Sequence, residues 1–292
     1  MLLPRICKLI GRILLFPVSF VCFCVQFGHF VIPFLDFHKQ AGEAGIFLSR
    51  TYDFSDEASV TLLVAVLVLI AFSKRKNETA LTTTARLHAF YWAAVITWLS
   101  TGLYFIIINF FELIDAPSRW LDFFFQISNL FVAYNVFIPI IIFFPIFGYF
   151  RRRALKGLPL KQLYLLPYPY LNLAGKYATI IFMGIGMVTG LFFASNNNYH
   201  VLLTFFPLAI ALWLCSKEPN ETPELFKLRL QAAQLSLFIH YIAFVLVYWL
   251  VYGWDYADAL GSSVVASQLI FLVVFYWMRY KATNGVPQTD TV

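Results

Sequence analysis

Long apolar runs, separated by clusters of charge or by Pro and Asn turns, dominate the chain. They fall at 14–35, 58–73, 88–111, 121–148, 174–195, 200–216, 231–252 and 260–279. Runs of this length without strict apolar/polar alternation predict helices rather than strands. A helix needs roughly 20 apolar residues to cross a hydrocarbon core ~30 Å thick. The pattern therefore predicts an all-α fold, a polytopic transmembrane helical bundle of eight spans in a single domain covering 1–292. The second and sixth runs are short and the sixth carries Pro207, so seven spans is the alternative count.

Composition agrees with a membrane class. Of 292 residues 61% are hydrophobic and only 12% charged, far from the usage of soluble domains. Charge then orients the bundle. With eight spans, all 21 Lys and Arg residues except Lys39, Arg50 and Arg119 fall on the side of the amino terminus. Asp36, Glu43, Asp53, Asp56, Glu57, Glu112, Asp115, Asp122, Asp255 and Asp258 fall on the other. Lysine and arginine mark the cytoplasmic side, so both termini are expected there, in a plasma or bacterial inner membrane. The net charge of +6 then reads as topology, with the lipid bilayer as the partner and no nucleic acid. Arg5, Lys8 and Arg12 precede the first apolar run without a small-residue cleavage site, which predicts a retained first helix.

The loops and cysteines add little. Cys7, Cys22, Cys24 and Cys215 show no metal-ligand spacing and predict no disulfide framework. The sequons at Asn77 and Asn220 both fall on the cytoplasmic side and carry no message. Residues 36–57 are long enough for a short surface helix, and Leu166-Pro167-Tyr168-Pro169-Tyr170 reads as an extended connector. Thr101-Gly102-Leu103 coincides with Thr189-Gly190-Leu191, but the similarity does not extend, so no internal repeat is expected.

Candidate chemistry lies at the bilayer centre. No Asp, Glu, Lys or Arg falls near the middle of any predicted helix, and such groups are the usual mark of ion pathways and proton relays. This argues against carboxylate-coupled pumps, voltage sensors and Schiff-base pigments. No aspartate cluster or His-Glu-x-x-His helix is present either, so no metal is expected and the reading leans away from an enzyme. What remains is uncharged polarity at a shared depth: Gln26, Ser100 with Thr101, Asn135, His240, and Ser267 with Gln268. In lipid these groups must face one another, water or a ligand. Pro139 follows Asn135 by four residues, and a proline there would free the Asn135 carbonyl. Gly186 and Gly190 form a Gly-x-x-x-Gly pair suited to helix packing. The turn Asn196-Asn197-Asn198 before the short sixth run is a further candidate flank of a substrate site. His29 and His240 differ in depth, which argues against a haem and leaves no cofactor expected.

Three functions follow as expectations. The first is transport or permeation of a neutral or lipophilic small molecule through the uncharged polar midplane site. The alternative is a non-catalytic subunit or assembly factor of a larger membrane complex, with a membrane-protein partner or a homo-oligomer. The third is a membrane-embedded lipid-modifying enzyme with His240 as general base.

Overall fold

The computed structural model describes residues 2–28, 30–32, 35–37, 52–53, 55–76, 78–113, 135–158, 160, 165–192, 205–219, 221–250 and 256–284. Among these residues the chain forms eight α-helices: α1 (Arg5–Gly28), α2 (Ser55–Ala71), α3 (Ala80–Leu113), α4 (Ile138–Leu155), α5 (Tyr170–Phe192), α6 (Phe206–Cys215), α7 (Pro223–Leu250) and α8 (Tyr256–Asn284). Among the described residues one strand pair forms, Asp36–Phe37 against Tyr52–Asp53, beside two isolated bridges, Leu3 with Ser73 and Leu166 with Ser216. The fold is all-helical. α1 and the stretch Pro223–Trp249 of α7 are long and apolar enough to cross a membrane, an indication of membrane location that rests on length and composition alone.

Several ends differ from those the apolar pattern predicts. Helical hydrogen bonding continues through polar flanks, so α1 takes in Arg5, Lys8 and Arg12, and α4 runs on through Arg151, Arg152 and Arg153. The fourth run, 121–148, lies outside the described residues up to 134. A 3-10 turn, Asn135–Phe137, then leads into α4. Pro139 thus stands in the first turn of α4, where a missing N–H has no helical partner to lose. Asn135 lies in the 3-10 turn and not within α4, and the residues just before it lie outside the described residues. Pro207 likewise stands in the first turn of α6. Residues 38–51 and the Asn196-Asn197-Asn198 turn lie outside the described residues.

The helices fall into two similar sets of four, contrary to the expectation of no repeat. In each half the first helix packs on the second and the third on the fourth: α1 on α2 and α3 on α4, then α5 on α6 and α7 on α8. The pairing begins in the backbone. The Leu3 N–H donates to the Phe72 carbonyl at 2.9 Å and the Lys74 N–H to the Leu3 carbonyl at 3.0 Å. In the second half Leu166 stands to Cys215 and Lys217 in the same way, both bonds at 2.9 Å. Leu2-Leu3-Pro4 and Leu165-Leu166-Pro167 are the matching sequences, and the second is extended as expected of a connector.

Close approach follows at matching glycines. A Cβ on Gly11 would lie 2.8 Å from an Ile70 side-chain carbon and 3.1 Å from the Val66 carbonyl oxygen. On Gly175 it would lie 2.5 Å from the Trp213 backbone nitrogen and 3.1 Å from the Ala209 carbonyl oxygen. On α4 and α8 the phenylalanines repeat too, Phe143 stacking on Phe147 as Phe271 does on Phe275. α3 and α7 pack against each other at the centre, where Ala89, Ala93, Ala232 and Ala233 are fully buried and small side chains let helices approach. α1 and α5 are peripheral and turn Phe16, Phe20, Phe23, Tyr177, Ile180 and Ile181 outward.

Gly175 is thus a packing glycine of α5. Gly175→Ala should destabilise by ~1–3 kcal/mol, because the obstructing atoms are backbone and cannot swing away. Gly184 has nothing within 4 Å of an added Cβ, so Gly184→Ala should gain ~0.5–1 kcal/mol from helix propensity. Thermal unfolding of both variants in one detergent tests the pair, and equal melting temperatures would remove Gly175 from the α5–α6 contact.

Candidate functional site

Trp98, Thr101 and Gly102 occupy one face of α3, at the i, i+3, i+4 spacing that helical geometry places together. The Trp98 indole N–H donates to the Ser267 hydroxyl of α8 at 3.0 Å. A Cβ on Gly102 would lie 3.6 Å from that of Leu208 on α6, so α3 meets α6 one turn further on. The neighbour of Ser267, Gln268, is fully buried and donates from Nε2 to the Pro207 carbonyl of α6 at 3.0 Å. Three helices from the two halves thus converge through Thr101, Pro207, Ser267 and Gln268. Two buried polar atoms at this junction, Thr101 Oγ1 and Gln268 Oε1, have no hydrogen-bond partner. Leaving such atoms unpaired in an apolar interior costs about 1–3 kcal/mol each.

The remaining midplane candidates separate. Ser100 turns back on its own helix, donating to the Thr97 carbonyl at 2.9 Å. Gln26 is half-buried on α1, which packs chiefly on α2. Asn135 stands in the 3-10 turn before α4, and its side chain lies outside the described residues. His240 is buried on α7 at the position matching Thr97 on α3, one turn after Ser236, whose hydroxyl donates to the Ala233 carbonyl at 3.0 Å. Tyr241 beside it faces the Ile140 backbone of α4, as Trp98 faces α8. Gly186 lies on α5, and the surroundings of Gly190 lie outside the described residues. Cys7, Cys22, Cys24 and Cys215 are free thiols.

A second polar assembly sits at the basic end, where the apolar pattern shows only loops. Ser73-Lys74-x-x-Asn-Glu78-Thr79 recurs as Ser216-Lys217-x-x-Asn-Glu221-Thr222, and Arg-Leu follows each at equal distance, as Arg86-Leu87 and Arg229-Leu230. The shared residues have shared tasks. Glu78 accepts the Arg75 backbone N–H at 3.1 Å and pairs with buried Arg86 at 2.8 Å. Glu221 accepts the Glu218 N–H at 2.8 Å and pairs with buried Arg229 at 3.0 Å. Thr79 and Thr222 cap α3 and α7 by accepting the Thr82 and Leu225 N–H, each at 3.3 Å. The two sequons are the legible trace of this motif.

Glu218 is the hub of the second copy. Its carboxylate accepts from Tyr276 at 2.7 Å and from Asn172 at 3.3 Å, and lies 3.3 Å from both Lys176 and Arg279. Burial alone would raise its pKa, but the Tyr276 hydroxyl, the Lys176 charge and the Asn172 amide outweigh burial and hold it below the ordinary glutamate value.

Between the halves, at the same end, lies a cleft of ≈ 360 Å³ lined among others by Leu3, Phe72, Thr83, Gln231, Phe238 and Met278. The matching place across the bundle is occupied by His88, whose ring lies 5.8 Å from both Phe150 and Phe226. Gln231, Met278 and Thr83 are the counterparts of these three side chains, and the cleft opens where they stand.

Comparison with protein-family models, curated proteins and solved structures finds no match to this chain.

Glu218→Gln should lower the melting temperature at neutral pH, with a loss of ~1–3 kcal/mol. A depressed folded pKa contributes stability that is complete above the unfolded glutamate value and fades as pH falls through the folded one. The wild type should therefore lose more stability than Glu218→Gln as acid is added below the ordinary glutamate pKa. Melting curves of both in the same detergent at stepped pH measure this, and parallel pH profiles would refute the ionised hub.

Proposed function

We propose that this chain is a multi-pass membrane protein of eight spans with both termini in the cytoplasm, and that it moves a neutral or lipophilic small molecule between its two halves. The observation that carries the reading is the pair of unpartnered buried polar atoms, Thr101 Oγ1 and Gln268 Oε1, where α3, α6 and α8 meet. Such atoms favour a guest able to share one or two hydrogen bonds, and the apolar walls favour one without charge.

Three further features support it. The outward apolar faces of α1 and α5 suit contact with lipid, since large exposed apolar patches are rare on soluble proteins. Four helices per half return the chain to its starting side, so the two halves have the same orientation. Parallel repeats of this kind recur in transporters whose substrate sites lie at the repeat interface. The cleft at the basic end opens between those same halves. The reading as a subunit of a larger complex draws support from a different observation: Trp98 with Ser267, and Gln268 with Pro207, use midplane polarity as interhelical bonding.

Thiol chemistry decides between them. Thr101→Cys and Gln268→Cys, reconstituted in vesicles, should react with a small water-soluble thiol reagent well above the background of the native cysteines. Labelling of both variants at the wild-type level would overturn the permeation reading and favour the subunit.

A further inference from the structure

The two halves share a framework, and they differ most in charge at one matched place. In the second half that place holds a carboxylate, Glu218, with its ring of donors. Each member of the ring has a counterpart in the first half. Gly11 and Gly175 make the same contact with the following helix, so Lys8, three residues before Gly11, matches Asn172, and Arg12 matches Lys176. The loop motif matches Arg75 to Glu218. On the fourth helices, Ile142-Phe143-x-x-x-Phe147-x-Tyr149-x-Arg151 runs parallel to Ile270-Phe271-x-x-x-Phe275-x-Trp277-x-Arg279. Arg151 therefore matches Arg279, and Gly148 matches Tyr276.

In the first half Asn172, Lys176 and Arg279 are matched by cations, Lys8, Arg12 and Arg151, the Tyr276 hydroxyl is lost to Gly148, and the acceptor Glu218 is replaced by the cation Arg75. Lys8 and Arg75 each lie within electrostatic reach of Arg12, Arg86 and Arg151, and of one another. Burial, and then Arg151, Arg86 and Arg12, push the Arg75 guanidinium down to about 10, against a partial offset from Glu78. Lys8 is buried, whereas Arg12 and Arg151 reach solvent. The carboxylate of this loop, Glu78, is committed to Arg86 and to the Arg75 amide. Arg229 places all three of its nitrogens on Glu221, Leu214 and Ser216, but Arg86 keeps Nε and Nη1 buried without a partner. The Arg75 guanidinium is held over the Phe147 ring at 4.6 Å. Where Tyr276 fills the second half, Gly148 leaves open space, with nothing within 4 Å of an added Cβ.

We propose that Lys8, Arg12, Arg75 and Arg151 bind a phosphate group, which supplies in the first half the negative charge that Glu218 supplies in the second. Converging cations, with the unpartnered buried nitrogens of Arg86 and the open space at Gly148 beside them, are the recognition chemistry of phosphate. Two sources share that chemistry, the headgroup of an anionic phospholipid at the membrane surface and a free phosphate compound.

The test uses the full chain in zwitterionic detergent. Its melting temperature is followed during titration with inorganic phosphate or pyrophosphate in one arm, and with phosphatidylglycerol against phosphatidylcholine in the other. Saturable stabilisation by a free phosphate identifies a soluble ligand, and stabilisation by phosphatidylglycerol alone identifies a headgroup. Arg75→Glu, which rebuilds the counter-ion of the second half, should abolish the response. Arg151→Gln, at an exposed position, should weaken apparent affinity about tenfold, the share of one charge-assisted contact. Lys76→Glu, an equal charge change on an exposed residue of the same loop, should leave it intact. No stabilisation of the wild type in either arm, or equal loss in Lys76→Glu and Arg75→Glu, would overturn the site.

Discussion

A guanidinium taken out of water has to be met by a carboxylate or by carbonyls, and the rest of this fold is arranged around two that are. Arg86 and Arg229 are each 2% exposed, and each is held by the glutamate of the loop that precedes its own helix. Breaking such a buried pair costs ~3–5 kcal/mol, because one charge is left behind. The same glutamate accepts an N–H of its own loop, so the pair fixes where the second helix of each half ends and the third begins. The extended residues before α1 and α5 then add one backbone pairing to that loop, Leu3 with Ser73 and Leu166 with Ser216. The start of each half is thereby tied to the junction of its second and third helices.

That arrangement explains which parts of the halves stay alike and which are free to diverge. The pairing of Leu3 and Leu166, the glycine contacts and the phenylalanine stacks are steric or backbone requirements, met equally in both halves. Side chains beyond these contacts answer to other demands. His88 fills one side of the bundle and Gln231 leaves the other open. Glu218 neutralises one loop and Arg75 charges the other.

The helical class of the chain is legible from its apolar runs, each of which overlaps a described helix, since a stretch excluded from water has to pair its backbone within itself. Helix ends are less so, because Arg5 and Arg153 continue helices by local hydrogen bonding that apolarity does not register. By its distance from Asn135, Pro139 reads as a break within a helix, but only the structure places it in the first turn of α4, after a 3-10 turn that holds Asn135. The repeat is hard to see in sequence because α3 and α7 share few residue types beyond Arg-Leu and Ala89/Ala232. Helical packing constrains volume and polarity more than identity. Among the traces that do survive is a pair of Asn-Glu-Thr sequons, whose message lies in their recurrence. Position along each predicted helix brings out Thr101, Ser267 and Gln268 as polar, but position along the axis carries no rotation. Which of them share a junction depends on the faces of α3, α6 and α8.

Where two halves repeat, departures from the repeat carry information that the repeat itself does not. A contact present in both halves is explained by folding, whatever the protein does. The unpaired Gln268 amide oxygen has no polar counterpart in the first half, because Ile140 stands at the matching position on α4. The cleft likewise opens on one side of the seam between the halves, where His88 fills the matching place, and the open space beside Gly148 and the cations around Arg75 belong to the first half. Folding alone gives no reason to bury an amide oxygen without a donor or to gather guanidinium groups around an arginine, since either costs stability. These departures cluster between the halves and at the basic end, the two places where a cargo and a phosphate group would each supply the missing partner.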